Sequence, residues 1–388
     1  MIHVYGLPHF AVSNVYKTRP YGQDERFAPY PLPTFSRYSL VPGRSYALPA
    51  KDPEFMGILR GMAQEAAEEW ALIYSMLAAA GLTPMVMLAF RELLGQQYFD
   101  AMKSGPFPTI NFPDIDILVQ GFPRDLWTML PNGTVMMDLS WHRFQAVLDP
   151  RHSRVVDPAW VEKNNVVDSI YGEGGRILFR QSLAVVFDKV EMPGPETLKA
   201  LGEDRYELKP PPIQPLKDLG MAVLELPEVS ATFLDGQASK MGYGADNHID
   251  RFFAVIEDRR GGLHLLADPL IWSGFQGQRK PPKYNPDSTL RECRRRAIRA
   301  GIEFHRIKRI HHPLAMGVYQ TADGRVVMSG GEPELQQVIT DLVGDDQVVI
   351  SEKPLYRYGA WYYAGIRCLI NEAPDYFAND PPRVLKAG

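Results

Sequence analysis

Residues 247–267, Asn247-His248-Ile249-Asp250 followed by RFFAVIEDRRGGLHLLA, carry both the folding pattern and the chemistry of this chain. Apolar residues fill Phe252–Ile256 and Leu263–Ala267, and Arg259-Arg260-Gly261-Gly262 between them supplies turn residues, so the segment predicts a β-hairpin. The same pattern occurs twice more. Pro131-Asn132-Gly133 separates Leu126–Leu130 from Thr134–Leu139, and Ala322-Asp323-Gly324 separates Met316–Gln320 from Arg325–Met328. Helices are expected at Glu196–Leu201, at Ser288–Ala300 closed by Gly301, and at Pro333–Val343 closed by Gly344. Strand-like Ala222–Leu226, Glu303–Ile310 and Gln347–Ile350 lie between these units. A recurring order of hairpin, helix and strand indicates an α/β fold. No low-complexity linker divides the chain, so a single domain over 1–388 is expected.

Residues 1–53 are rich in Pro, Tyr and Arg and predict loops around a short strand or two. From Glu54 onward, Phe55, Ile58, Leu59, Met62, Ala66, Trp70, Ile73, Tyr74 and Leu77 recur at three- and four-residue steps, the mark of an amphipathic helix. Gly81 then stops it. Thr83 as N-cap and Pro84 at the first helical position predict a second helix carrying Met87, Phe90, Leu94 and Tyr98, making a helical hairpin insertion over 54–104. The charge-free run Trp70–Phe90 is long enough to cross a bilayer, but the same Gly81, Thr83 and Pro84 interrupt it, and no membrane span is expected.

The composition, 45% hydrophobic and 23% charged with a net charge of −4, is that of an ordinary globular protein and offers no general attraction for nucleic acid. The basic stretch from Arg291 to Lys308 is expected to be the solvated face of a helix. His311 and His312 are adjacent, point apart in a strand, and so cannot readily share a metal. Only two cysteines occur, Cys293 and Cys368, too few for a disulfide framework or a cysteine-rich zinc site. With no basic, apolar leader at Met1-Ile2-His3-Val4, the expected compartment is a reducing cytoplasm.

Four places carry reactive side chains. Cys368 follows Gly365 in Gly365-Ile366-Arg367-Cys368, where a small residue beside strand-like neighbours can present a thiol at the rim of a core. His248 and Asp250 lie two apart before a strand, so an extended chain would turn both toward one pocket with Ile249 behind. Arg124-Asp125 opens the first hairpin. Glu173-Gly174-Gly175 sets a carboxylate beside two glycines that would let a ligand approach the backbone closely. Taken singly, each also reads as a cap, turn or core residue.

Taken in order, Arg-Asp, Glu-Gly-Gly, His-x-Asp and a carboxy-terminal Gly-x-x-Cys resemble the pentein superfamily of guanidine-modifying enzymes, which includes arginine and peptidyl-arginine deiminases and amidinotransferases. The matching positions span 124–368. The resemblance implies a fivefold pseudosymmetric α/β propeller of ββαβ units around a polar funnel, a covalent cysteine mechanism, and no metal or organic cofactor. It implies Cys368 as nucleophile, His248 as acid and base, and Asp125, Glu173 and Asp250 as catalytic carboxylates that also bind the guanidinium. Arg124, Gly174 and Arg367 would complete the substrate-binding set. A guanidinium stays charged at every physiological pH, with a pKa of roughly 13, and presents a planar fork of donors that carboxylates match.

The segment Gly359-Ala360-Trp361-Tyr362-Tyr363-Ala364-Gly365 places aromatic residues where arginine deiminases carry a glycine-rich anion grip, with Arg357 and Arg367 nearby. Free arginine, a peptidyl arginine and another guanidino compound therefore all stand as substrates. Pro123-Arg124-Asp125 with Trp141-His142-Arg143-Phe144 resembles amidinotransferases, so amidino transfer to an amine is the alternative to hydrolysis. A non-catalytic pentein binding module is a third reading, against which Cys368, His248 and Asp250 together argue. The expected partner is a small-molecule or peptide guanidino substrate, with homo-oligomerisation left open.

Overall fold

The computed structural model describes residues 2–6, 72–88, 109–111, 124, 126–139, 154–193, 206–228, 248–268, 286–310, 315–355, 365–380, 382 and 384–386. The fold is mixed α/β, built on small sheets. In four of them a hairpin is followed by a helix and then by a third strand that lies parallel to the second strand of the hairpin. Thr128–Met129 and Val135–Met137 form the first hairpin, with Pro158–Lys163 as the helix and Val167–Asp168 as the parallel strand. Leu178–Arg180, Leu183–Phe187, Gln214–Asp218 and Ala222–Leu226 form the second unit. Phe253–Glu257, Leu263–Ala267, Pro286–Arg299 and Glu303–Arg306 form the third. Tyr319–Gln320, Val326–Met328, Pro333–Val343 and Val348–Ile350 form the fourth.

A further sheet joins the first described strand to one late in the chain. Ile2–Gly6 pairs antiparallel with Ile370–Ala373 and parallel with Pro84–Leu88, which in turn pairs parallel with Thr109–Asn111. The helix at 72–79 precedes Pro84–Leu88, so this sheet repeats the same order with a strand taken from each end of the chain.

This arrangement corrects the expected helical hairpin. Gly81 does end a helix, at φ +78°, but Pro84–Leu88 is a strand and not the start of a second helix. The physical reason lies in its letters: Pro-Met-Val-Met-Leu is uniformly apolar, which suits a strand with parallel neighbours on both sides as well as a buried helix. Proline at the first position of a strand costs no interior ladder bond. The rest of the expected insertion, 54–71 and 89–104, and the expected helix at Glu196–Leu201 lie outside the described residues. Among the described residues, no helix is long and apolar enough to cross a membrane.

Alternate side chains along a strand in each of the first three units enter two different cores, which ties the sheets together in series. Val135 and Met137 pack with Trp127, Trp160 and Phe377, whereas Met136 packs with Ala184 and Val186 from the next sheet. Val185 and Phe187 turn the other way, onto Phe253, Val255 and Cys293, while Ala254 and Ile256 pack with Val326, Met328, Leu335 and Ile339. Strands covered on both faces read as continuous apolar runs, as these do. Trp127 is a core residue, fully buried, with its indole N–H donating to the Glu372 carbonyl at 2.7 Å. The fourth unit also meets the end of the chain that carries Ile370–Ala373. Arg367 donates its backbone N–H to the Gly317 carbonyl at 3.0 Å, and the Tyr319 hydroxyl donates to the Glu372 carboxylate.

Candidate active site

Three chain segments that precede strands converge: Glu173–Ile177, His248–Asp250 and Gly365–Cys368. Glu173 sits between two 3-10 turns, Ile170–Gly172 and Gly174–Arg176. Its Oε1 lies 2.7 Å from His248 Nε2, and its Oε2 lies 2.5 Å from Arg176 Nε. Burial by itself raises the Glu173 pKa, but the Arg176 guanidinium and the His248 imidazole outweigh it and hold the carboxyl at about 2. Glu173 is therefore an anion at neutral pH. Arg176 also approaches Asp138 at 4.0 Å.

His248 and Asp250 do not lie on an extended strand as expected. Ile249–Arg251 is a 3-10 turn, and the strand begins only at Phe253. The turn sends Ile249 into the apolar core, as its neighbours predict, and sends His248 and Asp250 to separate partners. Asp250, 1% exposed, accepts from Arg367 Nη1 at 3.2 Å through Oδ2, and Cys368 Sγ lies 3.9 Å from that same oxygen. Asp250 Oδ1 is buried and, among the described residues, has no hydrogen-bond partner. A buried carboxylate oxygen without a donor is costly, so this atom marks a place where a donor belongs.

Cys368 lies on the short helix Ile366–Leu369, which follows Gly365 and leads directly into the strand Ile370–Ala373. That helix turns the neighbouring Arg367 inward. Arg367 donates to Asp250 and, through Nη2, to the Ile177 carbonyl at 2.9 Å, while its own carbonyl accepts from Arg124 Nε at 3.3 Å. Burial, the nearby Arg124 charge and the opposing charges around it leave the Arg367 guanidinium at about 10, still a cation at neutral pH. Arg367 and Arg124, which the resemblance places in the substrate-binding set, both sit inside the protein. Both are buried and engaged with protein groups, because the turns that carry them face the core.

A Cβ on Gly174 would stand 2.2 Å from Arg124 Cδ, and one on Gly175 would stand 2.4 Å from His248 Nδ1, so on the Cβ side both glycines make room for this chain's own side chains. Asp125, the aromatic segment 359–364, Arg357, Trp141 and the pair His311 and His312 lie outside the described residues.

Sequence reading missed Arg176, the cation that holds Glu173 ionised. Its position three residues after Glu173, across a turn expected from two glycines, is the signal that could have found it. Cys293 is the contrast to Cys368: it is fully buried beside Leu290 and Ala297, and burial pushes its thiol up to about 12. The basic helix Pro286–Arg299 is laced by its own acids. Glu292 pairs with Arg295 and Arg296, and Arg296 also reaches Asp188 at 2.9 Å.

Searches found no family model and no curated protein that matches this chain.

Proposed function

We propose that this protein is a cysteine-dependent guanidine-modifying enzyme of pentein type, acting as a hydrolase that converts a guanidino group to a ureido group and ammonia. The observation that carries the proposal is the buried Asp250 carboxylate, which shares one oxygen with Cys368 and Arg367 and whose other oxygen has no donor among the described residues. A substrate guanidinium supplies the missing N–H and brings its central carbon to the thiol. Four three-stranded sheets with one common strand order, a four-stranded sheet whose first three strands repeat it, and the contacts between that sheet and the fourth unit support a reading as a five-unit α/β propeller.

In this reading the Cys368 thiolate attacks the guanidinium carbon, forming a C–S bond. His248 gives a proton to the departing nitrogen, and ammonia leaves from the tetrahedral adduct. Water then attacks the thiouronium carbon while His248 takes its proton. The C–S bond breaks, the ureido product departs and the thiolate returns. Glu173, ionised and bonded to His248, orients the imidazole and supplies counter-charge to its protonated form. Arg367, a buried cation, pairs with the Asp250 carboxylate beside Cys368 and offsets its negative charge there. Amidino transfer uses the same covalent intermediate with an amine in place of water.

The test is release of ammonia and ureido product from free arginine, agmatine and an arginine-containing peptide, with Cys368→Ala as control. Product that vanishes in the variant, with the circular dichroism spectrum unchanged, is the expected result. Equal turnover in the variant overturns Cys368 as nucleophile. No product from any of the three, with or without an added amine acceptor, overturns the guanidine assignment.

A further inference from the structure

A second cluster lies on the Phe253–Glu257, Leu263–Ala267 and Glu303–Arg306 sheet, away from Cys368. His264 and Glu303 are aligned across the parallel pair of strands, and His305 follows two residues after Glu303 on the same face. His264 Nδ1 lies 3.0 Å from His305 Nε2 and 3.5 Å from Glu303 Oε2, and His305 Nε2 lies 3.7 Å from Glu303 Oε1. On its other side, His264 Nε2 lies 3.0 Å from Asp258 Oδ2, in the hairpin turn.

We propose that His264 Nδ1, His305 Nε2 and the Glu303 carboxylate form a binding site for a divalent transition metal ion of the zinc class, with a further position open to water. Four arguments support it. Ligands about 2.0–2.1 Å from a tetrahedral zinc stand about 3.3 Å from one another, and the 3.0 Å between the imidazole nitrogens, with 3.5 Å from His264 to Glu303 Oε2 and 3.7 Å from His305 to Glu303 Oε1, bracket that distance. The Asp258 carboxylate accepts the Nε2 proton of His264, which leaves the Nδ1 lone pair directed at the other two ligands, the arrangement that orients metal-binding imidazoles. Two imidazoles and one carboxylate suit zinc and its neighbours, whereas magnesium and calcium require oxygen ligands. The site is also reachable: the Glu303 side chain is 67% exposed, while His264 is buried against the sheet. A bound ion would clip two strands whose ligands are 41 residues apart.

The competing reading is a plain hydrogen-bond chain in which His305 Nε2–H donates to His264 Nδ1, and the experiment separates the two. The full chain, stripped with chelator and desalted, is titrated with zinc chloride by calorimetry and with cobalt(II) in the visible range. The expected result is one zinc per chain with a dissociation constant in the micromolar range or tighter, and a cobalt band of four-coordinate strength. Free zinc at about 100 times the dissociation constant should raise Tm by about 3 °C. His305→Ala should weaken binding at least about 100-fold and Glu303→Gln about 10-fold, with Cys368→Ala unchanged. No saturable uptake overturns the proposal. So does uptake that either folded ligand variant leaves unchanged, or that Cys368→Ala abolishes.

Discussion

Replacing Gly175 by alanine tests whether the Glu173 and His248 pair depends on a missing side chain. The added Cβ would stand 2.4 Å from His248 Nδ1, 2.6 Å from Cγ and 2.8 Å from Cε1, where ordinary contact begins near 3.4 Å. The ring must retreat by roughly 1 Å, and it cannot swing freely because the clash includes Cγ, close to the backbone. A shift of that size stretches the 2.7 Å contact between His248 Nε2 and Glu173 Oε1 past hydrogen-bonding distance. Overpacking of this kind costs about 1–3 kcal/mol of stability, and misplacing a catalytic group by about 1 Å costs on the order of 100-fold in turnover. Urea unfolding reads the first effect; the second follows from the proposed function and is read as kcat on a guanidino substrate, with KM changing less. A variant within about 0.5 kcal/mol of the parent in stability and with unchanged kcat would refute the reasoning.

Two further outcomes follow from the titrating groups. Arg176 and His248 hold the Glu173 carboxyl well below its ordinary range, so the stability this pairing contributes is complete above about pH 5 and is lost as pH falls toward 2. The urea-unfolding free energies of the parent and Glu173→Gln should therefore differ most above pH 5 and converge in acid; a gap independent of pH would refute the assignment. Cys293, fully buried and held mainly as the thiol, should resist iodoacetamide at pH 8 in folded Cys368→Ala protein and react once urea is added. Mass spectrometry counts the adducts, and stoichiometric labelling of the folded variant would contradict the burial.

Much of the local structure is legible in the letters. Pro131-Asn132-Gly133 and Arg259-Arg260-Gly261-Gly262 turn where their stereochemistry demands, with Gly133 at φ +84° and Gly261 at φ +82°. Pro333–Val343 begins at a proline and ends at Gly344, φ +86°, within the limits expected for it. The uniformly apolar Pro84–Leu88 is not legible in this way, because periodicity cannot separate a buried helix from a strand flanked on both sides.

The candidate site divides along the same line. Its residue types, a thiol, an imidazole and several carboxylates in a fixed order, stand in the sequence because chemistry is carried by letters. Their partners do not. Asp250 meets Arg367 across 117 positions of chain, and the cluster of His264, Glu303 and His305 forms only because two parallel strands align in one register. Whether Gly174 and Gly175 receive a ligand or the protein's own Arg124 and His248 likewise depends on which segments the packed sheets bring together. By itself the sequence determined the turns, the helix ends and the supply of reactive groups, all of which depend on stereochemistry within a few bonds. The tertiary structure alone decided which charges are buried against which, since electrostatic pairing and desolvation act through space and take no account of separation along the chain.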